Sequence, residues 1–131
     1  METKTREELN LISQSVINAA IAVHREIGPG LLEAIYHECL LKELRIRKIK
    51  FDTAVEVAIV YKEVKLDKKC ILDLLVEDEI VIELKSVEQI IPIHEAQLLT
   101  YLKVTGKRLG LLINFNVPQL VKGITRMVNK F

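Results

Sequence analysis

ILDLLVEDEIVIELK, residues 71–85, decides how the rest of the chain is read. Two β-favouring runs, Ile71 to Val76 and Ile80 to Lys85, flank Glu77-Asp78-Glu79, an acidic connection of hairpin length. Centred on Asp78, the hairpin sets Val76 opposite Ile80, Leu74 opposite Ile82 and Asp73 opposite Glu83. A bulge in the connection would shift that register by one. Glu83 and Lys85 are two apart on one strand and point the same way in either register. Carboxylates facing each other across a ladder repel, and desolvation among Leu74, Leu75, Val81, Ile82 and Leu84 adds to the cost. A hard divalent cation would compensate, taking carboxylate oxygens and keeping positions for water and a phosphate. Beside it, Lys85 could orient or deprotonate an attacking water, or stabilise charge building on phosphorus. The plainer alternative is an exposed charged edge, with Asp73 and Lys85 paired as a salt bridge.

Upstream, Thr5 and Glu8 match a capping box, and Leu9, Ile12, Val16, Ala20, Val23 and Ile27 recur at helical spacing, so a first helix runs to about Ile27. Gly28-Pro29-Gly30 breaks it, and Leu32, Ile35, Tyr36, Cys39, Leu40 and Leu44 restart the period to about Arg47. Val55 to Tyr61 alternates, Lys62-Glu63 can turn, and Val64 to Leu66 can return as a short partner strand. Downstream, Ile93 to Val104 reads as a helix. Leu109 to Asn114 reads as a strand covered on both faces at the sheet centre, and Gln119 to Val128 as a closing amphipathic helix. The order ααββββαβα, without repeat or linker, predicts an α/β fold in which helices flank a mixed central sheet.

The length of 131 residues fits one domain, residues 1–131. Half the residues are hydrophobic and 28% charged, which excludes a disordered or low-complexity chain. With 19 Lys and Arg against 18 Asp and Glu, affinity for a polyanion must come from local clustering. Neither a transmembrane run nor a signal peptide is evident, so the expectation is a cytoplasmic protein without a membrane partner. Cys39 and Cys70 lack CxxC spacing and read as buried free thiols. Three Tyr, three Phe and no Trp make a base-stacking platform poorly supported. Lys42, Arg45, Arg47, Lys48 and Lys50 cluster at the end of the second helix, either as a solvated helix end or as a phosphate-contacting patch.

The pattern D-x(9)-E-x-K at Asp73, Glu83 and Lys85, following a helical acid at Glu33, resembles the PD-(D/E)XK nuclease superfamily. Gly30-Leu31-Leu32-Glu33-Ala34-Ile35-Tyr36 resembles the signature of its GxxExxY protein family. The ordered set His24, Glu33, Asp73, Glu83-x-Lys85 and Gln97-x-x-x-Tyr101 is similar to the RecB-like branch, and the resemblance spans about Ile17 to Asn129. It implies a restriction-endonuclease-like core and a Mg²⁺- or Mn²⁺-dependent nuclease acting on DNA or another nucleic acid. Asp73 and Glu83 would be metal ligands, His24 would add a nitrogen ligand, and Glu33 would be a further metal-shell or water-positioning carboxylate. Read from the residues alone, Glu33 stabilises a helix start and His24 borders an apolar stripe. Gln97 and Tyr101, one turn apart, could converge on a phosphate or base; otherwise Tyr101 packs and Gln97 is solvated. The family pattern carries an Arg two residues before the hairpin aspartate, where this chain has Ile71, and such a loss weakens phosphate binding. The competing expectation is therefore an inactive nuclease-fold domain serving as a nucleic-acid-binding or protein-interaction module, for which a homodimer is one form.

Overall fold

The computed structural model describes residues 3–131. Two helices, α1 (Arg6–Ile27) and α2 (Glu33–Ile46), lead into strands β1 (Phe51–Tyr61), β2 (Val64–Val76) and β3 (Ile80–Lys85). Helix α3 (Pro92–Thr105), strand β4 (Leu109–Asn114), a 3₁₀ turn (Leu120–Gly123) and strand β5 (Ile124–Val128) follow. The strands form one five-stranded sheet in the order β1-β2-β3-β4-β5. Only β3 and β4 run parallel, joined through α3, while the other neighbours are antiparallel. The mixed sheet with flanking helices is therefore the observed architecture.

Local chemistry explains the element boundaries. The Thr5 hydroxyl accepts the Glu8 N–H at 3.1 Å and the Glu8 carboxylate accepts the Thr5 N–H at 3.0 Å, so both ends of the capping box are made. Between α1 and α2, Gly28 and Gly30 take φ of 70° and 95°, values that side chains resist. The Tyr36 hydroxyl donates to the Gly28 carbonyl at 2.5 Å and accepts the Leu31 N–H at 3.1 Å, pinning that loop from the first turn of α2.

Two apolar layers sandwich the sheet. On one side Leu9, Val16 and Val23 of α1 and Tyr36, Leu40 and Leu44 of α2 cover Leu74, Ile82, Leu111 and Ile113. On the other, Leu98 and Leu102 of α3 cover Leu72, Leu75, Val81 and Leu112. Complete burial of one such leucine stabilises by about 1.5–3 kcal/mol, so both layers anchor the sheet. β4 is buried along its whole length, as its apolar run predicts, although it lies one place from the centre, which β3 occupies.

Two expectations are corrected. Val64 to Leu66 and Ile71 to Val76 belong to a single strand, β2, because Lys69 and Cys70 pair with Ala58 and Val57 of β1 and a bulge carries the strand on to Lys65, opposite Val60. Gln119 to Val128 is a 3₁₀ turn and then β5, paired antiparallel to β4. Spacings of three or four among Leu120, Ile124 and Met127 fit a helix equally well locally, but an open edge of β4 was there to be paired. A Cβ on Gly123 would stand 2.2 Å from the Asn114 carbonyl oxygen, so the chain passes there only as glycine. Cys39 and Cys70 are free and half-buried.

Candidate active site

The β2–β3 hairpin has the predicted register, Val76↔Ile80 and Leu74↔Ile82, and the ladder ends at that second pair. At the next position side chains replace the backbone bonds. The Asp73 N–H donates to Glu83 Oε1 at 3.4 Å, and the Leu84 N–H donates to Asp73 Oδ2 at 3.3 Å. Each carboxylate thus reaches across to the opposite strand where the two begin to part.

A kink in β1 and β2 meets the same point. Thr53 pairs with Leu74 and Val55 with Leu72, whereas Ala54, at φ 48°, and Asp73 stand opposite each other without pairing. Residues two apart normally share a face. Here Phe51 packs toward α1 and α2 but Val55 toward α3, and likewise Leu74 toward the former and Leu72 toward the latter. Both strands therefore change face at Asp73, whose carbonyl accepts from His37 Nε2 of α2 at 3.4 Å. Glu33, Ala34, His37, Thr53, Ala54, Ile71, Leu72 and Asp73 line a cleft of about 350 Å³ at this bend.

On β3, Glu83 shares its face with Val81, which lies under α3, and Lys85 follows on that face. Glu83 is only 6% exposed. Burial, then the neighbouring Asp73 carboxylate, pushes its carboxyl up to about 9, against weaker pulls from the Asp73 N–H and from Lys85. The phenol of Tyr101 on α3 is also pushed up, chiefly by burial and then by the charge of Glu83. Tyr101 thus lies within electrostatic reach of the acidic pair. Gln97, one turn earlier, is exposed.

The expected residues separate into groups. Asp73, Glu83, Lys85 and Tyr101 gather at the end of the hairpin, and Glu33 lines the cleft that Asp73 closes. His24 has its Nε2 committed to the Val117 carbonyl at 2.8 Å, and among the described residues no three His, Cys, Asp or Glu side chains converge to hold a metal. The set of Asp73, Glu83 and His24 implied by the resemblance is therefore not assembled. The basic cluster begins on the far half of α2, whose helix is about 20 Å long. There Arg47 bonds Glu43 at 2.7 Å and Arg45 lies over the Phe51 ring, while Lys42, Lys48 and Lys50 are exposed.

Three contributors escaped the sequence reading. His37, one turn after Glu33 on α2, reaches the Asp73 carbonyl at 3.4 Å. Buried Asn114 accepts the Val87 N–H at 3.1 Å and donates to the Val87 carbonyl at 3.0 Å, tying the segment after Lys85 to the end of β4. The Ser86 hydroxyl donates to the Leu31 carbonyl at 2.5 Å, joining the same segment to the loop before α2. An amide ending the apolar run LGLLIN was the available signal for Asn114.

A parallel β3–β4 pair joined through α3, with Asp73 and Glu83-x-Lys85 at the end of its hairpin, is the frame of a nuclease domain. A family model described as PD-(D/E)XK nuclease superfamily matches residues 10–127, and the chain belongs to that superfamily. Its nucleases generally use divalent metals. No curated protein and no solved structure matches the chain. Among the described residues no helix is long and apolar enough to cross a membrane.

Proposed function

We propose that this chain is a Mg²⁺- or Mn²⁺-dependent nuclease of the GxxExxY type that hydrolyses phosphodiester bonds in DNA or another nucleic acid. The observation that carries the reading is the crossing of the Asp73 and Glu83 carboxylates where the β2–β3 ladder ends, with Lys85 on the Glu83 face. Their oxygens are the donors a hard cation prefers, and a pair of acids in an apolar pocket is the arrangement a cation stabilises. Asp73 and Glu83 would hold the ion; His24, already bonded to Val117, serves the packing of α1. The ion would supply Lewis-acid polarisation of the phosphate and a water of lowered pKa.

The remaining roles fall to the chain itself. Lys85 orients the attacking water or meets charge developing on the phosphoryl oxygens. Glu33, across the cleft, holds a water on the side of α2, and Tyr101 with Gln97 faces the substrate from α3. Lys42 and Arg45 on the last turns of α2, with Arg47, Lys48 and Lys50 just beyond it, offer phosphate contacts.

A second reading, a non-catalytic module of the same fold, is favoured by Ile71, 55% exposed on the cleft wall where the family pattern has Arg. One experiment separates them. Mn²⁺ at millimolar concentration should raise the melting temperature of the wild type but not of Asp73→Asn, with cleavage following in a screen of single-stranded, double-stranded, branched and RNA substrates. Equal shifts in the two proteins would remove the metal assignment.

A further inference from the structure

Asp73 lies inside β2 yet pairs with neither neighbouring strand. The ladder with β3 stops at Leu74↔Ile82, and on β1 the residue opposite, Ala54, is unpaired as well. Ala54 has a φ of 48°, a left-handed conformation that alanine resists, so the bend here persists only where surrounding groups hold it. Side chains meet both backbone groups of Asp73. Its N–H donates to Glu83 Oε1 and its carbonyl accepts from His37 Nε2, each at 3.4 Å. The first contact belongs to the acidic pair itself, whereas the second comes from a different element.

His37 reaches across from α2, four residues after Glu33 and therefore on the same helix face. Both side chains line the cleft that Asp73 closes. His37 is half-buried, and Tyr36 beside it is fully buried and stacked on Phe115, so packing fixes this turn of the helix. A carbonyl oxygen can only accept, so the ring nitrogen facing it carries the hydrogen and the neutral ring is the Nε2–H tautomer. Asp73 is thus held at three points: its N–H by Glu83, its carbonyl by His37 and its carboxylate by the Leu84 N–H. Without the imidazole the carbonyl at the bend loses its partner, and the strain at Ala54 can relax by turning the Asp73 peptide. The carboxylate would turn with it.

We propose that His37 is a positioning residue of the acidic pair: its Nε2–H fixes the Asp73 carbonyl and, through it, the direction in which the Asp73 carboxylate faces Glu83. The inference rests on the reading of that pair as cation-holding and gives His37 no contact with ion or substrate. Groups that orient a metal-holding side chain from behind typically matter by about 10–100-fold in metal affinity. Helix α2 then has two tasks at the cleft, presenting Glu33 from one wall and aiming Asp73 on the other.

Two substitutions separate the hydrogen bond from the bulk of the ring. His37→Leu removes the donor, while His37→Gln sets an amide N–H near the place of Nε2. By calorimetry, Mn²⁺ should bind the folded Leu variant about 10–100-fold more weakly than wild type, and the Gln variant within about threefold of it. Cleavage should follow the same order. Where the Leu variant fails to fold, His37→Asn replaces it, since that amide is one methylene too short to reach the carbonyl. In ¹⁵N-labelled, metal-free wild type, the neutral His37 ring should show its hydrogen on Nε2. A hydrogen on Nδ1, unchanged Mn²⁺ affinity without the donor, or a Gln variant as weak as the Leu variant would each overturn the positioning role and leave the nuclease reading standing. Wild-type protein that takes up no Mn²⁺ would overturn both.

Discussion

Glu83 offers the sharpest test at the scale of single residues. In the fold its carboxyl ionises near 9 against 4.5 for the ordinary group, so the metal-free native state keeps a proton that the unfolded chain releases. The associated stability is complete below about 4.5, falls as pH rises through the interval, and is fully lost above about 9. The melting temperature of metal-free protein should therefore decline between about pH 5 and 9, and Glu83→Gln should flatten that decline. A parallel decline in both proteins would place the titrating group elsewhere. At neutral pH a metal must also displace this proton, so Mn²⁺ affinity should rise with pH, with proton release visible by calorimetry in buffers of different ionisation enthalpy. For Lys85, which acts chiefly on the transition state, Lys85→Ala should abolish cleavage while leaving the Mn²⁺-induced thermal shift in place. Cleavage retained by carefully purified variant protein would contradict that role.

Among the elements, the start of α2 shows how packing supports chemistry. The Tyr36 ring stacks on Phe115 with centroids 4.5 Å apart while its hydroxyl ties Gly28 and Leu31. Tyr36→Phe keeps the stack and loses both hydrogen bonds, which should cost about 1–3 kcal/mol in urea denaturation. Cleavage should fall further than stability predicts, because the same loop positions Glu33; unchanged cleavage would make the loop purely structural. The hairpin at residues 71–85 was legible because its register follows from alternation and from the length of its connection. β5 was not. Its apolar spacing suits two periods, and the choice was made by the unpaired edge of β4, a partner distant in sequence. The continuity of β2 was hidden likewise, since Asp67, Lys68 and Lys69 carry no strand pattern of their own, and only β1 joins the two runs, pairing Lys69 with Ala58 and Lys65 with Val60 across a bulge.

For the whole molecule, the question is how a chain of formal net charge +1 holds a polyanion. A duplex seated at Asp73 and Glu83 and running along α2 would reach the basic cluster at that helix's far end. Arg47 is already bonded to Glu43, so replacing Arg45, Arg47 and Lys48 by Ala should flatten the salt dependence of binding by about one unit in log–log slope. The measurement uses a non-cleaved duplex in an Asp73→Asn background, and an unchanged slope in folded protein would send the nucleic acid elsewhere. By itself the sequence determined the α/β class, both N-terminal helices, the hairpin register and the juxtaposition of Asp73 with Glu83, because each follows from short-range periodicity, caps and connection lengths. Only the tertiary structure decided that β1 and β2 kink at Asp73, that His24 turns to Val117 and away from the acids, that the chain closes with a strand, and that Asn114 and Ser86 brace the segment after Lys85. Those outcomes depend on which backbone groups are left unpaired once distant elements pack, and buried polar groups find partners wherever the assembled fold brings them.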